Sequence, residues 1–184
     1  MDIHFLGTGA ADWDWSQPLD ENNRGSCCTL INGHILIDAG VSTWQSLEKF
    51  AINPAEITDL FITHSHGDHF QPEVIKKIAQ AQGRKNKLKL YASSEALQLT
   101  ADAIEKISLT YGQEVTVADL QVRALPTNHY VADFEEKTFN FLFDSPQNKR
   151  LWYALDGAWV SRTAYQMMDD KKIDMIIWDA TSGT

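Results

Sequence analysis

The chain has 184 residues, 43% of them hydrophobic and 22% charged, which is the composition of an ordinary soluble globular domain. Its formal net charge of -9, from 16 basic and 25 acidic residues, argues against a clamp for long nucleic acid, because such binding rests mainly on neutralising phosphates. No apolar run approaches the ~18 residues needed to span a bilayer. The opening Met1-Asp2-Ile3-His4 lacks the basic start of a secretory signal, so a cytoplasmic protein without a membrane role is expected.

Residues 3–6 read as a short apolar strand ended by Gly7-Thr8-Gly9. A polar, aperiodic stretch follows, holding Trp13 and Trp15, and reads as a loop. Cys27 and Cys28 are the only cysteines. Adjacent residues cannot make a disulfide framework and point to opposite faces of a strand, so they read as free thiols. Asn32-Gly33, between two apolar runs, is the preferred pair for a tight hairpin turn. Residues 35–37 are uniformly apolar, as in a strand buried on both faces.

Ser42 or Thr43 is placed to cap a helix running to about Phe50. Residues 60–62 form a buried strand leading into His64. Pro72 suits a first helical turn, with Val74, Ile75, Ile78 and Ala79 recurring at helical spacing. A strand over 88–91 and a helix from about 94 to 107 follow. The second half reads as strands over 114–117, 120–125, 139–143, 151–155 and 175–178, with a short helix over 161–168. No linker or repeat interrupts the pattern. A single domain over 1–184 is expected, of α+β or layered α/β class.

The densest chemical signal is His64-Ser65-His66-Gly67-Asp68-His69. Imidazole and carboxylate are the ligands that suit zinc, manganese or iron. On an extended backbone, residues two apart share a side, so His64 and His66 can converge on one ion. Gly67 permits a sharp backbone change that would turn Asp68 and His69 towards a second. A site set on a loop directly after a buried strand has a rigid support.

These residues resemble the signature of the metallo-β-lactamase superfamily, His-X-His-X-Asp-His after a buried strand. Phe5-Leu6-Gly7-Thr8-Gly9, Ile37-Asp38-Ala39-Gly40, Asn128-His129 and Tyr153-Ala154-Leu155-Asp156-Gly157 are similar, in order, to the family's other motifs. The resemblance implies a four-layer αββα sandwich with two divalent ions, zinc in the first instance, at one edge. It puts His64, His66 and His129 on the first ion and Asp68 and His69 on the second, with Asp156 bridging both. The family supplies a further histidine near the C-terminus, whereas none follows His129 here. That departure implies a sandwich lacking its C-terminal part, or a weakened second site. The remaining histidines, His4 and His34, read as structural residues of their strands.

The chemistry implied is attack on a phosphodiester by a metal-bridging hydroxide, with Asp68 and Asp156 as the catalytic carboxylates. The glycine turn, the hairpin and the Asp156 motif look most like the branch containing tRNase Z-like and phosphonate-pathway phosphodiesterases. The acidic balance favours a small phosphate diester over a long nucleic acid, and Trp13 and Trp15 could stack on a base or sugar or equally serve local packing. A homodimer is in keeping with the resemblance. Two alternatives remain open at this stage: a lactone, thioester or β-lactam hydrolase on the same fold, and a metal-binding protein with a disabled second site.

Overall fold

A computed structural model of the chain describes residues 1–9, 11, 14, 17–20, 23–98, 100, 104–131 and 135–179. The chain divides into two compact units, one over residues 2–108 and the other over Met1 and residues 109–184.

The first unit is built on a six-stranded sheet: β1 (Ile3–Gly7), β2 (Cys28–Ile31), β3 (Ile35–Ile37), β4 (Asp59–Phe61), β5 (Lys89–Ala92) and β6 (Glu105–Ser108), in that spatial order. The first three strands pair antiparallel and β3 to β6 pair parallel. The β2–β3 turn is made where the sequence places it. Asn32 and Gly33 take φ of 51° and 74°, and the His34 N–H donates to the Ile31 carbonyl at 3.2 Å. Asparagine and glycine are the residues that reach this left-handed region at least cost.

Register then aligns one leucine from each central strand, with Leu30 opposite Leu36, Leu36 opposite Leu60, and Leu60 opposite Leu90. This row packs with Leu47 of α1 (Thr43–Lys49), Ile75 and Ile78 of α2 (Pro72–Ala79), and Ala96 and Leu97 of α3 (Ser94–Gln98). Each such buried leucine is worth about 1.5–3 kcal/mol relative to exposure. On the opposite face Ile37, Phe61 and Tyr91 are also buried, the last two rings stacked with centroids 4.3 Å apart. Three-residue strands apolar on both sides follow directly from that double burial.

Two local expectations change. Ser42 does precede α1, but its side chain makes no cap; its hydroxyl accepts the Ser26 N–H at 2.6 Å instead. The helix expected over residues 94–107 stops at Gln98, and Glu105–Ser108 forms β6. The backbone of β5 would otherwise be an unpaired sheet edge, and parallel pairing of Tyr91 with Ile107 satisfies it. That tertiary gain overrides the helical spacing of Ile104 and Ile107.

The second unit carries β7 (Glu114–Val117), β8 (Leu120–Pro126), β9 (Phe139–Asp144), β10 (Arg150–Ala154) and β11 (Met175–Trp178), in sheet order β11-β10-β9-β8-β7. All pairings are antiparallel except β10 with β11. Leu125, Leu142, Trp152 and Ala154 pack against Ala164 of α4 (Arg162–Met167) and Met168. Ser161 caps α4 by accepting the Ala164 N–H at 3.1 Å. On the other face Phe139, Phe141 and Phe143 form a ladder with centroids 6.0 and 6.3 Å apart. Arg150, only 2% exposed, bridges Asp144 and Asp169 and also donates to the Met168 carbonyl. Among the described residues no helix is long and apolar enough to cross a membrane.

Candidate metal centre

The first unit delivers four of the expected ligands on one loop. β4 ends at Phe61, and the chain turns at once through His64, His66, Asp68 and His69 into α2. The loop is held from beneath by the segment after β3. Ala39 N–H donates to the His69 carbonyl at 2.7 Å, Val41 N–H to the Gly67 carbonyl at 3.1 Å, and Gln71 N–H to the Ala39 carbonyl at 2.9 Å. Gly40 makes that approach feasible: a Cβ there would lie 1.8 Å from the Asp68 carbonyl oxygen. The small residue that matters sterically is therefore Gly40. Gly67 is not in the left-handed region, and a Cβ on it would meet nothing nearer than Gln71 Nε2 at 3.7 Å.

Asp38 and Thr63 orient the histidine rings. His69 Nδ1 lies 2.8 Å from Asp38 Oδ2, both side chains being buried. Thr63 donates its N–H to Asp38 Oδ1 at 2.8 Å, and its hydroxyl lies 3.0 Å from both carboxylate oxygens. The same hydroxyl is 3.0 Å from His64 Nδ1. Hydrogen-bond satisfaction then assigns a chain in which His64 Nδ1–H donates to Thr63 Oγ1 and Thr63 O–H donates to Asp38. Both rings are left presenting Nε2, the arrangement in which an outer carboxylate fixes the tautomer of a metal-binding histidine. His64 Nε2 sits 3.1 Å from His66 Nδ1, and His69 Nε2 sits 3.3 Å from Asp68 Oδ2. Burial pushes the Asp38 carboxyl above its ordinary value, while the charge and hydrogen bond of His69 and the donors of Thr63 pull against that.

Neither Asp38 nor Thr63 was among the residues expected to act at the site. Asp38 appeared in the sequence only as part of an acidic turn; its φ of 62° after a strand is the backbone state that turn requires.

The second unit delivers the other two. His129 follows β8 and Asp156 follows β10, with His129 Nε2 3.8 Å from Asp156 Oδ2. Thr127 links their loops, donating from Oγ1 to the Asp156 carbonyl at 3.0 Å and accepting the His129 N–H at 3.1 Å. Asp156, like Asp38, has a positive φ, 50°. Each of the three pairs, His64 with His66, Asp68 with His69, and His129 with Asp156, offers ligand atoms within 4.8 Å of each other. Nitrogen and carboxylate donors at such spacing fit a divalent ion of the zinc or manganese kind.

Comparison with known proteins gives the chain a family. Residues 1–99, more than half of the chain, match the family model of the Anti-Pycsar protein Apyc1. The chain belongs to that family. Over 191 aligned residues this Apyc1-family chain is 27% identical to a ribonuclease Z of Pyrococcus abyssi, an alignment covering 94% of the chain and 58% of that protein. The chain thus spans about three fifths of that relative's length. Among solved structures it is similar to a diphosphatase of the PhnP family, with a TM-score of 0.67 and 16% identity, covering 95% of this chain and 71% of the other. It is also similar to the metallo-β-lactamase fold protein YhfI from Bacillus subtilis, with a TM-score of 0.63 and 16% identity, covering 82% and 61%. The Apyc1-family chain has the metallo-β-lactamase fold, as its motifs imply. Trp13 and Trp15, read either as a stacking surface or as local packing, lie outside the described residues.

Proposed function

We propose that the chain is a metal-dependent phosphodiesterase and that residues 1–184 act as a single domain. His64, His66 and His129 would hold a first ion and Asp68 and His69 a second, with Asp156 as a ligand available to both. The observation that carries this reading is the orientation chain within the first unit, from His64 through Thr63 to Asp38 and back to His69, which turns the Nε2 atoms of two buried rings towards His66 and Asp68. A structural histidine pair needs no such tautomer control; a pair of metal ligands does. Similarity to the ribonuclease Z of Pyrococcus abyssi extends over 94% of the chain, and so over both ligand sets.

Divalent ions bound there would lower the pKa of water and polarise a phosphoryl oxygen. The chain's own groups do the rest. Asp68, half-buried beside His69, would orient the attacking water, and the left-handed turn at Asp156 fixes the direction of its carboxylate. The substrate is proposed to be a nucleotide phosphodiester. The acidic balance points to a small one, while a relative named ribonuclease Z favours RNA, and both share the scissile group.

The test is reconstitution with zinc or manganese, metal analysis, and parallel assays on a chromogenic phosphodiester, a lactone and a thioester. About two ions per chain and hydrolysis of the phosphodiester alone are expected, with His66→Ala losing metal and activity while keeping the fold. Unchanged metal content in His66→Ala, or preference for the lactone or thioester, would overturn the reading.

A further inference from the structure

We infer that Tyr130 and Trp159 form a stacking platform for the nucleobase of the substrate, an inference that rests on the phosphodiesterase reading above. β8 and β10 both run antiparallel to β9, so they run parallel to each other and their following loops leave the same sheet edge. One loop carries His129 and then Tyr130; the other carries Asp156 and, three residues on, Trp159. The loops are fastened together. Thr127 Oγ1 donates to the Asp156 carbonyl at 3.0 Å, and the Ala158 N–H donates to Asn128 Oδ1 at 3.1 Å.

Against that ordered frame the two rings are left in the open. Tyr130 is 70% exposed and Trp159 66%, whereas Trp152 in the same unit is 6% exposed. Large aromatic rings forfeit much of their favourable burial when left exposed. One ring next in sequence to His129 and one three residues after Asp156 meet the need of a base for a flat apolar face near its phosphate. Stacking of this kind tolerates any base, because every base has a π-face. The platform therefore selects for the presence of a base and not for its identity.

The experiment compares two esters with one leaving group, the p-nitrophenyl ester of thymidine 5′-monophosphate and methyl p-nitrophenyl phosphate, on the metal-reconstituted chain. Trp159→Ala and Tyr130→Ala should each raise KM for the nucleoside ester by about tenfold, with kcat and the methyl ester unchanged. Trp159→Phe should keep most of the preference. Tyr165→Ala, which removes an equally exposed ring from α4, should change neither ester. Calorimetric titration with thymidine 5′-monophosphate against ribose 5-phosphate gives a readout without turnover, and the difference between the two ligands should vanish in Trp159→Ala. Equal slowing of both esters in Trp159→Ala, or an unchanged KM for the nucleoside ester, overturns the platform. A wild type that hydrolyses neither ester overturns the phosphodiesterase reading instead, and the titration then decides the platform, equal affinity of wild type and Trp159→Ala for the monophosphate overturning it.

Discussion

Asp38 Oδ2 accepts the Nδ1–H of His69 at 2.8 Å, across 31 positions of sequence, and neither side chain reaches solvent. The carboxylate does not need to touch an ion to decide how one is held. It leaves Nε2, the ring nitrogen beside Asp68, as the one able to bind an ion, and raises the basicity of the imidazole. Asp38→Asn keeps the shape and the left-handed turn that asparagine tolerates, but removes the charge. We expect metal affinity to fall by about 10–100-fold, read by competition with a chelator of known affinity. An unchanged affinity would show that the pair is structural only.

Gly40→Ala tests the packing beneath the metal loop. The added Cβ would meet the Asp68 carbonyl at 1.8 Å, so the loop must move bodily. Overpacking of this sort costs about 1–3 kcal/mol, and the urea midpoint should drop accordingly. Metal affinity should weaken in the same variant. Gly67→Ala is the comparison, since nothing lies within 3.7 Å of its Cβ position, and it should disturb the loop far less.

In the second unit, acid should act through Arg150. Its guanidinium, hydrogen-bonded to Asp169, holds that carboxyl at about 2, and it holds Asp144 below its ordinary value in the same way. Carboxyls depressed in the folded state stabilise it fully above the unfolded value, 3.8, and lose that contribution as pH falls towards 2. Urea unfolding from pH 6 down to pH 2 should therefore show a loss of stability below about pH 4. Arg150→Met should flatten that part of the profile. At neutral pH it should cost about 2–3 kcal/mol, less than the ~3–5 of a fully buried pair because the two carboxylates are partly exposed. A profile unchanged in slope below pH 4 would remove Arg150 as the cause.

The adjacent thiols should differ sharply. Cys28 is fully buried, and burial pushes its thiol far above the ordinary range, whereas Cys27 is half-buried with its Sγ 3.2 Å from the Gly9 carbonyl. A thiol that does not ionise does not attack. Titration with a disulfide reagent on the native chain should modify one cysteine, Cys27 by peptide mapping, and both only after unfolding. Native modification of Cys28 would contradict the burial.

How much of this the sequence discloses depends on how local each feature is. The Asn32-Gly33 turn, the strands at residues 114–117 and 175–178, and the histidine loop after β4 are read from neighbours alone, and the structure has them there. The segment 94–107 misleads because Ile104 and Ile107 fit a helix by spacing, while the open edge of β5 lies outside that window. Thr63 and Asp38 escape for the same reason. A threonine and an aspartate in separate turns carry no signal until the parallel register of β3 and β4 sets them side by side.

Donor chemistry was thus a property of the sequence: His64, His66, Asp68 and His69 mark a candidate metal loop because donor type and a spacing of two are set along one stretch of backbone. The orientation of those ligands belonged to the tertiary structure. Which nitrogen each ring offers is decided by Asp38, and how closely the loop seats is decided by Gly40, 28 positions before Asp68. Both act through sheet pairing, which joins residues that no local pattern connects.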